Sequence, residues 1–392
     1  MNDSVGRNVG HAVSAPIAAS LAISTVGSLP VLLAGAFTGI EEASLRINQI
    51  HAAISVAVYF VGAGISAMTL GRLSDQREST VIMQVGLAGT AVGSLVVGIS
   101  TGWPIMVMGL VLAGMGYGLA QPAVSRFLSD SIVSGRRGLA FGLRQAGVPA
   151  ATILAGLAES AVPSTLGWRM AYFTVAMLVP LTLVVASRYG KAFVRPGPRT
   201  PLVIPDTRRS SQRVLLLAGS LGLGAATIYA ATSFTVPVAR TVGFSASTAG
   251  VLAAAGGALA LTMRIAIGAL RDKAGFDPLL AAGAMILGGV LGYLMLSTGR
   301  PGLFVAGVAI VYSLGCGWNA LLLQALAAEF PSAVGKTTGA GLAAAFGGGL
   351  VGPLAFGTMI TYLGMSVAWT LLGLIAAVAG VGMLLSVRLR AP

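Results

Sequence analysis

The sequence predicts an all-α membrane protein that crosses the bilayer twelve times and is built from two copies of a six-helix unit. Three observations lead there: scarce charge, apolar runs of membrane-crossing length, and an internal repeat. Only 9% of the 392 residues are Asp, Glu, Lys or Arg, against 56% hydrophobic residues and a further 55 glycines. A soluble domain carries roughly 25% charged residues, and a globule of this size leaves much of its surface wet. A soluble enzyme, a disordered chain and a nucleic-acid-binding protein are excluded on this ground. The net charge of +13 does not restore the last of these. Its basic residues fall in short segments between apolar runs and form no basic-aromatic patch. The single cysteine, Cys316, lies in an apolar run, so neither a disulfide framework nor a metal cluster can be built. No nucleophile, metal or acid–base constellation is visible. The chain is not read as an enzyme, and no cofactor is expected.

A helix crossing a ~30 Å hydrocarbon core needs about 20 mostly apolar residues. The first run is 13–39; the segment Met1 to Gly10 before it is short and polar, and the run itself has no clear small-residue cleavage site, so it reads as a span and not a removed signal peptide. Runs 49–70, 81–100, 103–127, 138–160 and 168–186 complete the first six. A polar stretch, 188–213, follows with four prolines and seven basic residues, and reads as a linker between halves 1–187 and 214–392. The second six runs are 214–237, 246–270, 278–296, 303–327, 337–360 and 365–386. Runs this long are helices and not the short alternating strands of a barrel. With the N-terminus inside, 18 of the 24 basic residues lie in cytoplasmic segments, and only Arg46, Arg169, Arg240 and Arg300 lie outside. This asymmetry places both termini in the cytoplasm and the chain in the cell (inner) membrane.

The halves repeat at an offset of 197 residues. Ser100-Thr101-Gly102-Trp103-Pro104 matches Ser297-Thr298-Gly299-Arg300-Pro301, and Phe37-Thr38 matches Phe234-Thr235. Gly71-Arg72-Leu73-Ser74-Asp75 matches Gly268-Ala269-Leu270-Arg271-Asp272, and Leu166-Gly167 matches Leu363-Gly364. Gly138 and Gly142 match Gly335 and Gly339. Six spans per half keep the copies parallel, which is a transporter architecture.

The paired G-x-L-x-D segments, the 6+6 layout, the long basic middle loop and Leu166-Gly167-Trp168-Arg169 together resemble the major facilitator superfamily. The resemblance covers essentially the whole chain. It implies a secondary transporter that rocks its halves around a central site. It also implies that Asp75 and Asp272 act as conformational latches on helix N-termini of the opposite half, with Gly71, Arg77, Gly268 and Lys273 in the same gating loops. Some features depart from that pattern. Gln76-Arg77-Glu78-Ser79-Thr80 follows Asp75 in place of a run of Gly and basic residues, which points to a weaker first latch. The fourth span lacks the buried Arg of proton-driven drug antiporters, and the fifth carries Gly147-Val148-Pro149 and not their Gly-Pro-x-x-Gly-Gly run. Both departures count against drug efflux.

Two arginines lie inside spans. Arg144 and Arg264 each sit about six residues, or roughly 9 Å, from the cytoplasmic end of the fifth and eighth spans. Their repeat counterparts are Gly341 and Ala67, so neither charge belongs to the duplicated scaffold, and no acid lies in mid-membrane to pair them. An Arg at the centre of a span costs about 2.5–3.5 kcal/mol on insertion scales. Three readings stand: a pair of anion-binding groups, long stems snorkelling to the headgroups, or a state-dependent bond with helix-end carbonyls. In the resembled fold spans 5 and 8 are neighbours, so the two guanidinium groups would converge on the central cavity. Arg264 with its following loop also resembles the oxalate:formate antiporter and monocarboxylate porter branches.

Gln145, Tyr117, Gln121, Tyr312, Asn319, Tyr59 and Tyr229 are candidate substrate contacts, with Trp318 beside Asn319; helix–helix hydrogen bonding is the competing role for each. The G-x-G-x-G at Gly114–Gly118 lies within a span and follows no strand, so it is not a nucleotide loop. The expected partners are a small anionic substrate, protons as a coupling option, and the lipid bilayer, with no nucleic acid and a monomer as the working unit. The expected activity is transport of a mono- or dicarboxylate, by exchange or proton-linked symport. Efflux of amphipathic or neutral compounds is the alternative within transport, and a transporter-like sensor the alternative outside it.

Overall fold

The computed structural model describes residues 2–37, 44–47, 49–70, 73–132, 136–161, 167–190, 208–329 and 334–389, and the statements below concern those residues. The first half contains α1 (Asn2–Ala36), α2 (Gln49–Leu70), the short α3 (Leu73–Gln76), α4 (Ser79–Gly98), α5 (Trp103–Ser131), α6 (Arg137–Gln145), α7 (Gly147–Ala161) and α8 (Gly167–Gly190). The second contains α9 (Arg208–Thr241), α10 (Ala246–Ala274), α11 (Pro278–Ser297), α12 (Pro301–Ile310), a π-helical turn (Val311–Gly315), α13 (Asn319–Glu329), α14 (Val334–Leu363) and α15 (Met365–Arg388). Most of the predicted linker, 191–207, lies outside the described residues.

Ten of these helical stretches are long and apolar enough to cross a bilayer, and α2 contributes a shorter apolar segment, Ile54–Leu70. Their ends follow local chemistry. Ser245 caps α10 by accepting from Thr248 N–H at 3.1 Å, and Gly275 closes that helix at φ 67°. Asp277 caps α11 with Pro278 directly after it. Large apolar side chains such as Met177, Leu215 and Val251 stay exposed, as a hydrocarbon solvent permits.

Two predicted spans are interrupted. The fifth breaks at Ala146 between α6 and α7. Pro149 lacks the N–H that would bond the Gln145 carbonyl four residues back, and its ring crowds that carbonyl. The tenth passes through the π-turn and resumes at Asn319. There the Trp318 indole N–H donates to Gly315 O at 2.8 Å, while Leu321 and Leu322 N–H both donate to Trp318 O. Such turns inside helices often mark functional positions.

Glycines set the packing. Gly114 and Gly118 of α5 meet the backbone of Tyr59 and Ala63 in α2, while Gly116 faces Gly86 and Thr90 of α4. The G-x-G-x-G motif is thus a two-sided helix contact, in keeping with the small residues that line membrane helix interfaces. Between the halves, α2 packs on α14, and α6 and α7 pack on α10. Those contacts run from the linker end of the bundle, here called the basic end, to about its middle: Gly138 on Gly268, Gly142 on Arg264, Gly64 near Phe346, and Ile153 near Gly257. Toward the opposite end of α10, Val251 and Leu259 are exposed.

Candidate functional site

The contact between α6 and α10 is built from two stripes at helical spacing. Arg264, Gly268 and Asp272 recur every four residues along α10, and Gly138 and Gly142 do so along α6. Without Cβ atoms, the backbones at Gly138 and Gly268 meet directly; a side chain on either would collide with the other's main chain. That closeness delivers Asp272 to the N-terminus of α6. Its two carboxylate oxygens accept Gly138 N–H and Leu139 N–H, each at 2.8 Å. The first N–H groups of a helix have no partner within it, and the positive dipole end favours an anion. Arg136, at the N-cap position of α6, supplies no side-chain cap, so the cap comes from the other half of the molecule.

Two turns along α10, Arg264 reaches both helix interruptions. Its Nε donates to Cys316 O at 3.0 Å, just past the π-turn in its own half. Its Nη1 donates to Gln145 O at 2.8 Å, the carbonyl of the other half that Pro149 leaves without a helical donor. Arg144 lies next door in α6 and is fully buried. Its Nη2 donates to Gln121 O at 3.1 Å and to Gln121 Oε1 at 2.5 Å. Arg144 Nε and Nη1 and Gln121 Nε2 are buried without a hydrogen-bond partner among the described residues. All three unpartnered groups are donors, so what they lack is an acceptor. With Arg264 only 4% exposed, both arginines are enclosed by protein.

An aromatic cluster adjoins the arginines and bridges the halves. Phe60 of α2 packs on Tyr229 of α9 with ring centroids 4.6 Å apart, and Tyr117 of α5 packs on Phe346 of α14 at 5.7 Å. Tyr59 joins through Tyr117 at 5.9 Å and donates its hydroxyl proton to Gly27 O at 2.6 Å. Tyr117 lies one helical turn from Gln121 in α5, which places the cluster beside Arg144.

The structure therefore brings together Arg144, Arg264, Gln121, Tyr117, Tyr229 and Tyr59. Gln145 enters through its backbone carbonyl. Tyr312 is engaged elsewhere, its hydroxyl donating to Thr235 Oγ1 at 3.3 Å and its ring lying over Gly256. Trp318 is tied to Gly315, and Asn319 is half-buried at the start of α13. Of the gating residues, Gly268 and Asp272 form the clasp described above, while Arg77 and Lys273 are exposed. Gly71 lies outside the described residues, and Asp75 sits in α3 with its side chain outside them. Phe60 and Phe346 look like ordinary core residues in the sequence, and their bridging role appears only in the packing. In the sequence Pro149 is a departure from a motif, and the carbonyl its missing N–H releases is identified only by the Arg264 contact to Gln145 O.

Comparison with known proteins agrees with this architecture. Similar curated proteins include an uncharacterized MFS-type transporter of Mycobacterium tuberculosis, 26% identical over 37% of this chain and 25% of that protein. A triacylglyceride transporter of Mycolicibacterium smegmatis is 33% identical over 28% of this chain and 21% of that protein. The tetracenomycin C resistance and export protein of Streptomyces glaucescens is 27% identical over 43% of this chain and 34% of that protein. The chain thus spans between 21% and 34% of the length of these relatives. Among solved structures, the proton:xylose symporter XylE bound to 6-bromo-6-deoxy-D-glucose superposes with a TM-score of 0.75 at 15% identity, covering 96% of each chain. The Escherichia coli fucose:proton symporter FucP gives 0.72 at 14% identity, covering 95% of this chain and 98% of that one. At such identities the likeness is one of fold. The description of the Major Facilitator Superfamily fits residues 12–353, and the chain belongs to that family of membrane transporters.

Proposed function

We propose that this major facilitator carries a small organic anion, a mono- or dicarboxylate, by rocking its halves 1–187 and 214–392 about a site between Arg144 and Arg264. The observation that supports this most is the set of unpartnered donors on Arg144 and Gln121, buried beside a second guanidinium. A buried donor left unmade costs about 1–3 kcal/mol, and more when charged, so an acceptor with several lone pairs is favoured there. A carboxylate supplies one, and arginine suits it through charge as well as hydrogen bonding. Asp272, and Asp75 in the matching loop, bias the rocking equilibrium from the basic end. With no acid in mid-membrane, coupling runs through anion exchange or through a proton that enters with the substrate. The basic end faces the cytoplasm of the cell (inner) membrane, carrying both termini there, and the monomer is the working unit.

Uptake into proteoliposomes, measured for a panel of mono- and dicarboxylates with wild type, Arg144→Ala and Arg264→Ala, tests the reading. Flux of at least one carboxylate, lost in both variants, is expected. Anion flux that persists unchanged in both variants refutes it. A second reading, efflux of amphipathic compounds, is favoured by the aromatic cluster around Phe60 and Phe346 and by two relatives, the triacylglyceride transporter and the tetracenomycin C export protein. Flux confined to neutral or cationic amphipaths, indifferent to the arginines, would select it.

A further inference from the structure

Arg264 is held by two carbonyls that differ in one respect. Cys316 belongs to the same half as Arg264, so the bond from Nε at 3.0 Å travels with that half when the molecule rocks. Gln145 belongs to the other half, so the bond from Nη1 at 2.8 Å spans the interface and must break when the halves part. In an unbroken helix the Gln145 carbonyl would accept the N–H of residue 149. Here that residue is Pro149. On either side of it the main chain keeps its helical bonds: Ala146 N–H donates to Gly142 O at 3.0 Å, and Ala150 N–H to Ala146 O at 3.0 Å.

We propose that Pro149 is a positioning residue for the transport cycle: by lacking an N–H, it leaves the Gln145 carbonyl as the acceptor through which Arg264 clasps the two halves in the state closed at the basic end. Arg264 is then a cation with one permanent and one state-dependent partner. Parting the halves at the basic end frees Nη1, and re-forming the bond draws α10 back onto α6. This clasp lies two turns deeper than the Asp272 cap and depends on a different helix irregularity. It requires no particular substrate, so it stands apart from the anion reading.

The test reads the distance between the halves without substrate. Arg136 and Ala274, both exposed at the basic end and on opposite halves, take spin labels as Arg136→Cys and Ala274→Cys in a Cys316→Ser background, which keeps the Cys316 carbonyl. Distance distributions are recorded in nanodiscs for Pro149→Ala, Arg264→Gln and the double variant. Pro149→Ala restores a helical donor to Gln145 O and should lower the ratio of short to long distances about tenfold, the weight of one charge-assisted hydrogen bond. Arg264→Gln should do the same, and the double variant should add nothing, as for two changes to one interaction. Lactic acid placed at position 149 by nonsense suppression gives an ester with no N–H and no ring, and should restore the short distance. Pro149→Gly, which also supplies the donor, replaces Pro149→Ala if the latter is not monodisperse. Unchanged distances in the donor-restoring variants, additive effects, or an ester that behaves like alanine would each overturn the proposal.

Discussion

Replacing Asp272 with asparagine isolates the cap across the interface. The side chain keeps its shape but loses its charge and one of its two acceptors. The amide oxygen would hold one of the Gly138 and Leu139 N–H groups, while the amide N–H₂ would meet the other, donor against donor. A hydrogen bond to a charged group contributes about 1.5–3 kcal/mol, and a carboxylate on a helix N-terminus roughly 0.3–1 kcal/mol more. Asp272 is partly exposed, so solvent screening trims these figures to about 2 kcal/mol in all. That corresponds to roughly a 30-fold fall in the population closed at the basic end. Hydrogen exchange, followed by mass spectrometry on peptides covering residues 136–145, reads the effect where it arises. Protection of this segment should drop by about the same factor while α11 is unaffected. If protection around Gly138 and Leu139 is unchanged, the carboxylate does not hold the N-terminus of α6, and the clasp is only a close approach.

Three further outcomes follow from the same contacts. Gly268→Val puts a branched side chain into the Gly138 backbone; overpacking of this kind costs about 1–3 kcal/mol, so spin-label distances at the basic end should lengthen and flux should fall at normal expression. Asp277→Ala removes the cap that accepts Leu279 N–H at 2.8 Å and Leu280 N–H at 3.0 Å; thermal unfolding should register a loss of about 1 kcal/mol with transport intact, separating a stability role from a gating one. Gln121→Leu withdraws the side-chain acceptor from Arg144 and should lower carboxylate uptake, measured in proteoliposomes, by about tenfold at unchanged expression.

The scaffold was legible because membrane physics acts on composition and run length, which one sequence displays in full. Spans, their order and the repeat needed only counting, as did the placing of Arg144 and Arg264 on the fifth and eighth. The pairing of the fifth and eighth spans came through resemblance and not from the residues. Details that depend on a neighbouring helix were hidden. Nothing local says that Gly138 faces Gly268, or that Phe60 meets Tyr229, because those partners lie more than a hundred residues apart. Arg264 shows the limit most clearly. The sequence leaves carbonyl bonds as one of three readings without saying which carbonyls, and the structure gives those of Cys316 and Gln145. Carbonyls are present at every residue and leave no mark in sequence, except where a proline such as Pro149 removes the donor four residues on. Tyr312 and Trp318, candidate contacts in the sequence with helix–helix bonding as the competing role, hydrogen-bond inside the second half, one to Thr235 and the other to Gly315.

The measurement closest to the central claim is calorimetric titration of the purified protein with the carboxylate that gives the highest uptake. Arg144→Gln leaves the Arg264 clasp and the Asp272 cap untouched while removing the charge whose Nε and Nη1 have no partner among the described residues. Losing one charge-assisted contact of about 1.5–3 kcal/mol should raise the Kd by roughly 10- to 100-fold. An unchanged Kd in Arg144→Gln would contradict a site in which that guanidinium holds the anion.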